Sequence, residues 1–299
     1  IATFILALAL WAITGICITA GYHRLFAHRS YEACRPIQWF YACFGAANFQ
    51  GSILEWSADH RYHHRYTDTD RDPYSIKKGF WHAHILWLFR LDESKRDFSV
   101  VPDLQANSIV QCQHRFILTF MITFGYLLPI AIASLWGDPL GGLFIAGALR
   151  IVVGHHATWA INSVCHYFGK GHYVDQSAKD NWLTAFFTWG EGFHNFHHKF
   201  PIDYRNGIRW FHYDPTKWLI KSLSWLGLTK QLKTVQQTHI IGYKLKFQRA
   251  EMCKRLSQAT GDIKETLADC YHNLYEQLQS KIQIIKDTEI SIKNLQERV

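Results

Sequence analysis

Nine histidines and one asparagine form three clusters and one pair between residues 23 and 198. The clusters are His23 with His28, His60 with His63 and His64, and His194 with His197 and His198, and the pair is Asn162 with His166. Each lies at the edge of a strongly apolar segment. Neutral imidazole is the commonest metal-binding side chain, and nine of them are more than one ion of ordinary coordination uses. The pattern therefore predicts a membrane enzyme built around two metal ions.

Helical spacing predicts how these side chains are grouped. Residues i, i+3 and i+4 share one face of an α-helix. Each three-histidine cluster can therefore point at one place, as can Asn162 and His166. His23 and His28 are five residues apart, which is roughly 140° around a helix of about 3.6 residues per turn. We therefore expect these two to bind different ions, unless the helix ends between them.

The donor set favours iron. Zinc needs about four ligands and its structural sites usually use Cys. Copper would suit imidazole, but this many histidines spread over two ions fit non-haem iron that handles oxygen. Carboxylates near the clusters are expected to hold the ring nitrogens that face away from the metals; they are Asp59, Asp68, Asp70, Asp72 and Glu191. Asn162 is a weak direct ligand and is expected to reach a metal through water.

Composition narrows the class of protein. The 299 residues are 48% hydrophobic and 15% aromatic, and a mean hydropathy of -0.12 averages apolar blocks with a charged C-terminal third. The net charge of +8 predicts an anionic partner. No nucleic-acid-binding motif is present, and the long apolar blocks favour a membrane. The seven cysteines form no C-x-x-C pair, which favours a reducing compartment.

Apolar segments predict an all-α integral membrane fold, with transmembrane helices supporting a cytosolic helical cap that holds the two metals. Residues 2–20, 116–136 and 140–161 are long enough to span a bilayer, and Gly137-Asp138-Pro139 is a turn signal between the last two. A pair of spans returns the chain to the side that it left. Residues 36–54 lie between the first two clusters, so they cannot cross once. We expect this segment to lie in the interface, re-enter, or pack on protein.

Charge predicts orientation. The segment between the second cluster and the paired spans carries a concentration of basic residues: Arg61, Arg65, Arg71, Lys77, Lys78, Arg90, Lys95 and Arg96. The positive-inside rule places this face in the cytoplasm.

Two domains are expected, a membrane domain over residues 1–232 and an amphipathic helical extension over 233–299. Apolar residues recur at three- and four-residue steps between charges in the extension: Ile263, Leu267, Leu274, Leu278, Ile282, Ile285 and Ile292. Gly261-Asp262 is expected to start a new helix. The helices can pack on themselves or on the membrane domain, or form a coiled coil with a partner.

The clusters stand within longer motifs. These are Ala20-Gly-Tyr-His-Arg-Leu-Phe-Ala-His28, Asp59-His-Arg-Tyr-His-His-Arg-Tyr-Thr-Asp68, Arg71-Asp-Pro-Tyr74, Trp159-Ala-Ile-Asn-Ser-Val-Cys-His166 and Gly190-Glu-Gly-Phe-His-Asn-Phe-His-His198. With them the chain resembles the membrane fatty-acyl desaturases, and most of all the acyl-CoA Δ9 (stearoyl-CoA) branch, over residues 5 to about 230. Asp203-Tyr-Arg-Asn-Gly and Tyr213-Asp-Pro-Thr-Lys217 are similar to the fungal type.

The resemblance implies two iron ions held by the nine histidines, with Asn162 contributing through a water. It also implies insertion of a cis double bond into a saturated acyl-CoA chain, using O2 and two electrons. An unactivated methylene offers nothing to acid–base catalysis, so an oxidising metal must do this chemistry while the protein positions the chain. Candidate walls of a narrow apolar tunnel are Trp56, Trp159, Phe193 and Phe196.

The sequence departs from the family pattern at three points. The family has four spans and three are readable here, so we expect a further span upstream of Ile1. Animal members carry Arg-Asp before the second cluster, where this chain has Ala58-Asp59, so recognition of the CoA would depend on other cations such as Lys77, Lys78 and Arg90. Fungal members fuse a cytochrome b5 domain, but this chain has no His-Pro-Gly-Gly motif. A separate donor, cytochrome b5 or a ferredoxin-like protein, is therefore expected.

Several alternatives remain open. The same metal site could serve an acyl-lipid or acyl-ACP desaturase or a fatty-acyl hydroxylase. A non-enzymatic metal-binding or transport protein should carry ionisable residues within its spans, but residues 2–20 and 116–149 contain only Asp138. A catalytically dead adaptor would be expected to lose its ligand set. A multi-pass protein of the endoplasmic reticulum and one of a bacterial inner membrane both fit the sequence.

Overall fold

The computed structural model describes residues 1–90, 92, 94, 96–258 and 263–296. They form two units, one made of residues 1–170 and 176–234 and the other of residues 171–175 and 235–299. Lys95 and Gly261-Asp262 lie outside the described residues. The domain boundary that the sequence suggests, after residue 232, stays a prediction.

The first unit is mostly helical. Its α-helices are α1 (Ala2–Ile16), α2 (Arg35–Ala46), α3 (Ile53–Tyr66), α4 (Phe80–His84), α5 (Pro102–Gln105), α6 (Ser108–Arg115), α7 (Ile117–Ile122), α8 (Leu128–Ser134), α9 (Pro139–Gly141), α10 (Arg150–Tyr167), α11 (Trp182–Phe187), α12 (His194–Lys199) and α13 (Pro215–Trp225). Three π-helices are π1 (Cys17–Ala27), π2 (Thr123–Leu127) and π3 (Gly142–Leu149), and 3₁₀ turns occupy Ile76–Lys78, Leu86–Phe89 and Phe98–Val100. Two short strands, β1 (Glu32–Ala33) and β2 (Thr229–Lys230), pair antiparallel with Glu32 opposite Lys230.

Within the described residues, three continuous helices are long and apolar enough to cross a membrane: Ala2–Ala27, Ile117–Ser134 and Pro139–Tyr167. They correspond to the three spans expected from the sequence: the first and third extend further toward the histidine clusters, and the second is slightly shorter than the expected 116–136. The turn at Asp138 is capped, since the Asp138 carboxylate accepts the N–H of Gly141. The all-helical membrane architecture is therefore confirmed.

One cation lies inside the third of these helices. Arg150 is 3% exposed and donates to the carbonyls of Ala146 (2.8 Å) and Ala47 (3.0 Å) and to the hydroxyl of Thr14 (3.2 Å). A buried guanidinium needs such acceptors, because an unsatisfied donor in an apolar setting is costly. Arg150 thus joins the first span, the third span and the end of α2.

Residues 36–54 are not one helix. They divide into most of α2 and the start of α3, and neither is among the candidate spans. Ser52 begins α3 with a capping box, in which Ser52 accepts the N–H of Glu55 and Glu55 accepts the N–H of Ser52. Tyr41 of α2 is buried against Gly21 of π1, so this segment packs on protein, as one of the expected arrangements requires.

The second unit contains α14 (Gln237–Gln258) and α15 (Ile263–Gln296). Arg249 of α14 places its guanidinium 4.6 Å from the ring centre of Tyr275 of α15, so the two helices pack on each other. Ile282 is buried, whereas Leu274, Leu278 and Ile285 are exposed. The side chains of Ile263, Leu267 and Ile292 lie outside the described residues, and a coiled-coil partner stays a prediction.

Candidate metal centre and adjoining cavities

The nine clustered histidines come together in two groups. Among the described residues, the groups that could hold a metal ion are a five-histidine group (His23, His28, His60, His64 and His197) and a four-histidine group (His63, His166, His194 and His198). The two groups adjoin, because the rings of His64 and His198 stack with their centres 4.3 Å apart. The groups therefore do not coincide with the sequence clusters, since each H-x-x-H-H motif contributes histidines to both groups.

The geometry of each group suits a metal ion. Nε2 of His197 lies 3.0 Å from Nε2 of His23 and 3.0 Å from Nε2 of His64. Nε2 of His194 likewise lies 3.0 Å from Nε2 of both His166 and His198. All candidate ligand atoms within a group are at most 4.8 Å apart. Imidazole nitrogens that each bind one ion at about 2.1 Å can be at most about 4.2 Å apart, so small shifts suffice.

His23 and His28 belong to the same group, and the expectation that they bind different ions was wrong. The reason is the π-helix, in which residue i+5 bonds back to residue i. The backbone N–H of His28 donates to the carbonyl of His23 at 3.0 Å, so the two side chains lie on one face. Their ring centres are 4.8 Å apart.

Glu191 orients His23. Its Oε2 lies 2.8 Å from Nδ1 of His23, the ring nitrogen that faces away from the group. Arg24 donates to Oε1 of Glu191 from Nη2 at 2.9 Å, and Asn206 donates to Oε2 at 2.7 Å. Although burial opposes ionisation, His23 and Arg24 hold the pKa of Glu191 below its ordinary value. Glu191 is therefore a fixed carboxylate directed at one ring nitrogen.

A tight turn brings Glu191 to this place. Trp189 has a φ of 57° and Gly190 a φ of 105°. A side chain at Gly190 would place its Cβ 2.5 Å from Oδ1 of Asp214, so only glycine fits. Asp214 in turn contacts Arg24, with Oδ1 3.0 Å from Nη2.

Asp72 and Ser177 hold two histidines of the other group. Oδ1 of Asp72 lies 2.9 Å from Nδ1 of His63, and the Ser177 hydroxyl lies 2.6 Å from Nδ1 of His166. Asp68 accepts the backbone N–H of Ser177 and so acts one step further away. Carboxylates and hydroxyls in this position fix the ring tautomer that leaves Nε2 free for a metal.

The remaining two acidic candidates have other neighbours. Oδ1 of Asp59 accepts from Nε of Arg96 at 2.9 Å. Asp70 is exposed, and its carbonyl accepts from Lys78. A role for Asp59 beside a metal-binding histidine stays a prediction.

Burial keeps six of the clustered imidazoles neutral. Removal from water, reinforced by neighbouring imidazoles, holds the pKa well below its ordinary value for His28, His60, His64, His194, His197 and His198. The neutral ring is the form that binds a metal.

A cavity of about 360 Å³ adjoins the metal groups. His23, His60, His194, Glu191 and Asn162 reach its wall. Asn162 therefore faces the cavity beside the histidines, but its part as a ligand through water stays a prediction. Much of the remaining wall is aromatic: Trp11, Phe49, Trp56, Tyr74, Trp87, Trp159, Phe187 and Trp189.

Two of the four aromatic residues expected to line a tunnel do so. Trp56 and Trp159 line the cavity, whereas the ring of Phe193 stacks on His212 and Phe196 is a buried core residue. Two hydrogen bonds connect residues of this wall. Trp56 donates to Oε1 of Gln50 at 3.2 Å, and Gln50 donates to the hydroxyl of Thr158 at 2.9 Å.

A second cavity, of about 340 Å³, is rich in charged residues. Its wall includes Ala58 and carries both signs of charge: the basic residues are Arg71, Lys78, Arg90 and Arg96, and the acidic ones are Asp59, Asp72, Asp92 and Asp97. Asp59, Trp87 and Arg96 line both cavities, so the charged cavity adjoins the aromatic one.

The placement of the expected substrate residues is mixed. Lys78 and Arg90 line the charged cavity as expected, whereas Lys77 is exposed and is not among the lining residues that the structure describes. Arg71 and Arg96 were assigned only to the basic segment. Their position could not be inferred from spacing, since Arg96 meets Asp59 from 37 residues away.

The fatty acid desaturase family model matches residues 1–225 of this chain. The chain belongs to the fatty acid desaturase family. It is 48% identical over 241 residues to a probable acyl-CoA desaturase of Schizosaccharomyces pombe, covering 80% of this chain and 50% of that protein. It is 43% identical over 240 residues to acyl-CoA desaturase 1 of Saccharomyces cerevisiae, covering 79% and 47%.

Animal desaturases also match this chain. Human stearoyl-CoA desaturase 5 is 37% identical over 237 residues, covering 75% of this chain and 72% of that protein. The chain spans about half the length of the two yeast desaturases. The resemblance to the acyl-CoA desaturases seen in the histidine motifs is thereby confirmed.

Proposed function

We propose that this protein is an O2-dependent di-iron desaturase that introduces a cis double bond, at Δ9, into saturated fatty acyl-CoA. One observation carries the proposal: two adjoining histidine groups reach the wall of an aromatic cavity, and a charged cavity with four Lys and Arg side chains adjoins that one. This combination suits a ligand with an apolar chain, an anionic head and a carbon that must meet a metal.

Two iron ions would be held by the five-histidine group and the four-histidine group, with Asn162 adding a ligand through water. When bound, iron with O2 and two electrons supplies the oxidising power to remove hydrogens from an unactivated methylene. The donor set of neutral imidazoles agrees with this assignment. The names of the relatives support the acyl-CoA substrate, since they are a probable acyl-CoA desaturase, acyl-CoA desaturase 1 and stearoyl-CoA desaturase 5.

The protein's contribution is orientation. Glu191 and Asp72 fix the rings of His23 and His63, so that Nε2 points into its group. The buried pair of Arg24 and Asp214 holds this arrangement from behind, because Arg24 contacts both Glu191 and Asp214. A rigid ligand set limits the geometries that the metals can adopt.

The aromatic cavity would position the acyl chain. Gln50, Trp56 and Thr158 form a hydrogen-bonded bridge on its wall, and this bridge limits how an inserted chain can bend. Trp159 lies one residue after Thr158 and adds to the same wall. Apolar walls also exclude water from the metals, which protects the reaction from side products.

The charged cavity would hold the phosphates of the CoA at its basic side chains. Arg71, Lys78 and Arg90 line it, and guanidinium and ammonium groups are the usual partners of phosphate. Arg96 is held by Asp59 at the boundary of the two cavities and can contact a head group there. These cations compensate for Ala58, which stands where animal members carry arginine.

The surroundings follow from the same proposal. The protein is multi-pass, with the metal groups and the basic segment on the cytosolic face, as the positive-inside rule indicates. The membrane is the endoplasmic reticulum if the source is eukaryotic and the inner membrane if it is bacterial. A separate cytochrome b5 or ferredoxin-like protein supplies the electrons.

Expression of the full-length gene in cells that lack their own Δ9 desaturase tests the proposal. Fatty-acid profiling should show new Δ9-unsaturated chains and rescued growth. The His166→Ala and His197→Ala variants should give neither, whereas His239→Ala should behave as wild type. Hydroxylated chains would contradict the proposed desaturation. Desaturation confined to lipid-bound chains would contradict the proposed acyl-CoA substrate.

A further inference from the structure

Two polar side chains, those of Asn48 and His155, lie side by side in the largely apolar wall of the aromatic cavity. Asn48 is only 2% exposed and His155 is half-buried. The two are neighbours, because Nε2 of His155 lies 2.6 Å from the backbone carbonyl of Asn48. The Asn48 side chain also packs against Gly154, where an added Cβ would lie 2.9 Å from Oδ1. Polar groups at this depth are costly unless each finds a hydrogen-bond partner.

The amide of Asn48 has a partner for its oxygen and none for its nitrogen. The hydroxyl of Thr14 donates to Oδ1 of Asn48 at 3.2 Å, and Thr14 itself accepts from Nη1 of Arg150 at 3.2 Å. A guanidinium can only donate, so Thr14 keeps its own hydrogen for Asn48. Nδ2 of Asn48 then has no acceptor among the residues that the structure describes. Asn48 therefore offers an unused N–H donor to the cavity.

The imidazole of His155 offers the complementary group. A carbonyl can only accept, so the bond to the Asn48 carbonyl places the hydrogen on Nε2 and leaves the lone pair of the neutral ring on Nδ1. Within the described part of the chain, no N–H or O–H group donates to Nδ1. Asn48 thus presents a donor and His155 an acceptor in the same part of the wall. One hydroxyl group can satisfy both, because it accepts one hydrogen bond and donates another.

The position of this pair along the cavity predicts which carbon it meets. His155 stands seven residues before Asn162 on α10, which is about 10 Å along an α-helix. Asn162 faces the cavity beside the histidine groups. Each single bond of an extended chain advances about 1.2 Å. An acyl chain with C9 and C10 at the metals and its CoA in the charged cavity therefore brings a carbon near C17 to Asn48 and His155.

We propose that Asn48 and His155 bind a hydroxyl group, so that the preferred substrate is a saturated acyl-CoA with a hydroxyl near its methyl end. Nδ2 of Asn48 donates to the hydroxyl oxygen, and the hydroxyl hydrogen goes to Nδ1 of His155. An unsubstituted chain leaves both groups unpaired, and sites built to bind a hydroxyl discriminate against ligands that lack it. The inference rests on the proposed function, because it specifies the acyl chain of the proposed acyl-CoA substrate.

Competition binding tests this without turnover. The full-length, iron-loaded protein is given radiolabelled stearoyl-CoA and no electron donor, and unlabelled stearoyl-CoA and 17-hydroxystearoyl-CoA are the competitors. The wild type should bind the hydroxylated chain about tenfold more tightly, since each hydrogen bond that is made contributes about 1 kcal/mol. A wholly apolar wall would give the opposite order, because the hydroxyl loses its water on entering and gains no partner.

Three variants assign the preference to this pair. His155→Leu removes the acceptor and should reverse the order, so that stearoyl-CoA binds more tightly than the hydroxylated chain. Asn48→Ala removes the donor and should shift the ratio in the same direction, which keeps the test available if one of the two variants does not fold. His156→Leu is the matched control and should keep the wild-type ratio, because His156 is exposed and is not among the described lining residues.

Equal or weaker binding of 17-hydroxystearoyl-CoA by the wild type would overturn the inference and assign Asn48 and His155 to bound water. A preference that survives in His155→Leu or Asn48→Ala would overturn it as well. Tight binding of stearoyl-CoA without that preference overturns this inference alone. A wild-type protein that binds neither acyl-CoA would overturn the proposed substrate and this inference together.

Discussion

His23 and His28 lie on one face of a π-helix, joined by a 3.0 Å bond from the N–H of His28 to the carbonyl of His23. Both imidazoles face the five-histidine group. π-Helical turns are rare in proteins and occur frequently at functional sites. Here the turn places the imidazoles of His23 and His28 on the same face of the helix.

Replacing one histidine of a single group should remove one metal ion. We expect His28→Ala to lower bound iron from about two ions per chain toward about one, because the four-histidine group keeps all its ligands. Metal analysis by mass spectrometry of the purified protein measures this. His272→Ala, in the second unit, is the control and should retain both ions. Retention of both ions by His28→Ala would contradict the grouping.

Asp72 should contribute to metal affinity through His63. Its carboxylate lies 2.9 Å from Nδ1 of His63, so Asp72→Asn should weaken metal binding about 10- to 100-fold. Competition with a chelator of known affinity gives the change. Asp70→Asn is a matched control two residues away, because Asp70 is exposed. Equal affinities of the two variants would reject the role of Asp72.

The charged cavity should recognise the head group of the substrate. Lys78→Gln should raise KM for stearoyl-CoA about tenfold with kcat little changed, since a hydrogen bond to a charged group is worth about 1.5–3 kcal/mol. Lys77→Gln, one residue away but outside the lining set, should leave KM unchanged. Steady-state kinetics at fixed salt compare the two. A larger effect from Lys77 would place the head group elsewhere.

The histidines of the candidate metal centre could be predicted from sequence because their information is local. Two H-x-x-H-H motifs and one H-x4-H motif indicate metal binding, whatever the tertiary structure around them. The division of ligands between the groups could not be read from spacing. An α-helical period predicts different faces for His23 and His28, and only backbone hydrogen bonds reveal that Cys17–Ala27 is π-helical.

Contacts between residues that lie far apart in the chain could also not be predicted from the sequence. Arg24 contacts Glu191 from 167 residues away and Asp214 from 190 residues away. Nothing near Arg24 marks these partners, although a charge beside a ligand in an apolar setting is a signal that could have been used. The membrane spans could be predicted from sequence, since length and hydropathy alone define them.

Gly15 should be needed for the cavity wall. A Cβ at this position would overlap Nε1 of Trp189, so Gly15→Ala must displace that ring. We expect a loss of about 1–3 kcal/mol in the free energy of unfolding. Gly242→Ala is the control, because no atom lies within 4 Å of its Cβ position in α14, and alanine there should stabilise the helix. Chemical unfolding in detergent measures both. An unchanged Gly15→Ala would contradict the packing of Trp189.

The metal-free protein should lose stability as the pH falls. Burial holds the pKa of His60 and His197 well below the ordinary value. In the unfolded chain the same imidazoles have a pKa of about 6.5. The unfolded state therefore binds more protons below pH ~6.5, and the folded state is disfavoured there. Above that pH these groups contribute nothing. Thermal midpoints of the metal-free protein between pH 5 and 8 test the sign, and a midpoint that rises on acidification would contradict it.

Turnover by the purified protein tests the central claim most directly. The full-length, iron-loaded protein is incubated with stearoyl-CoA, O2 and a reduced electron donor, and the products are analysed by gas chromatography with mass-spectrometric location of the double bond. The proposed function predicts a cis Δ9 monounsaturated chain, which depends on O2 and is abolished in His197→Ala. An iron-loaded protein that leaves stearoyl-CoA unchanged under these conditions would contradict it.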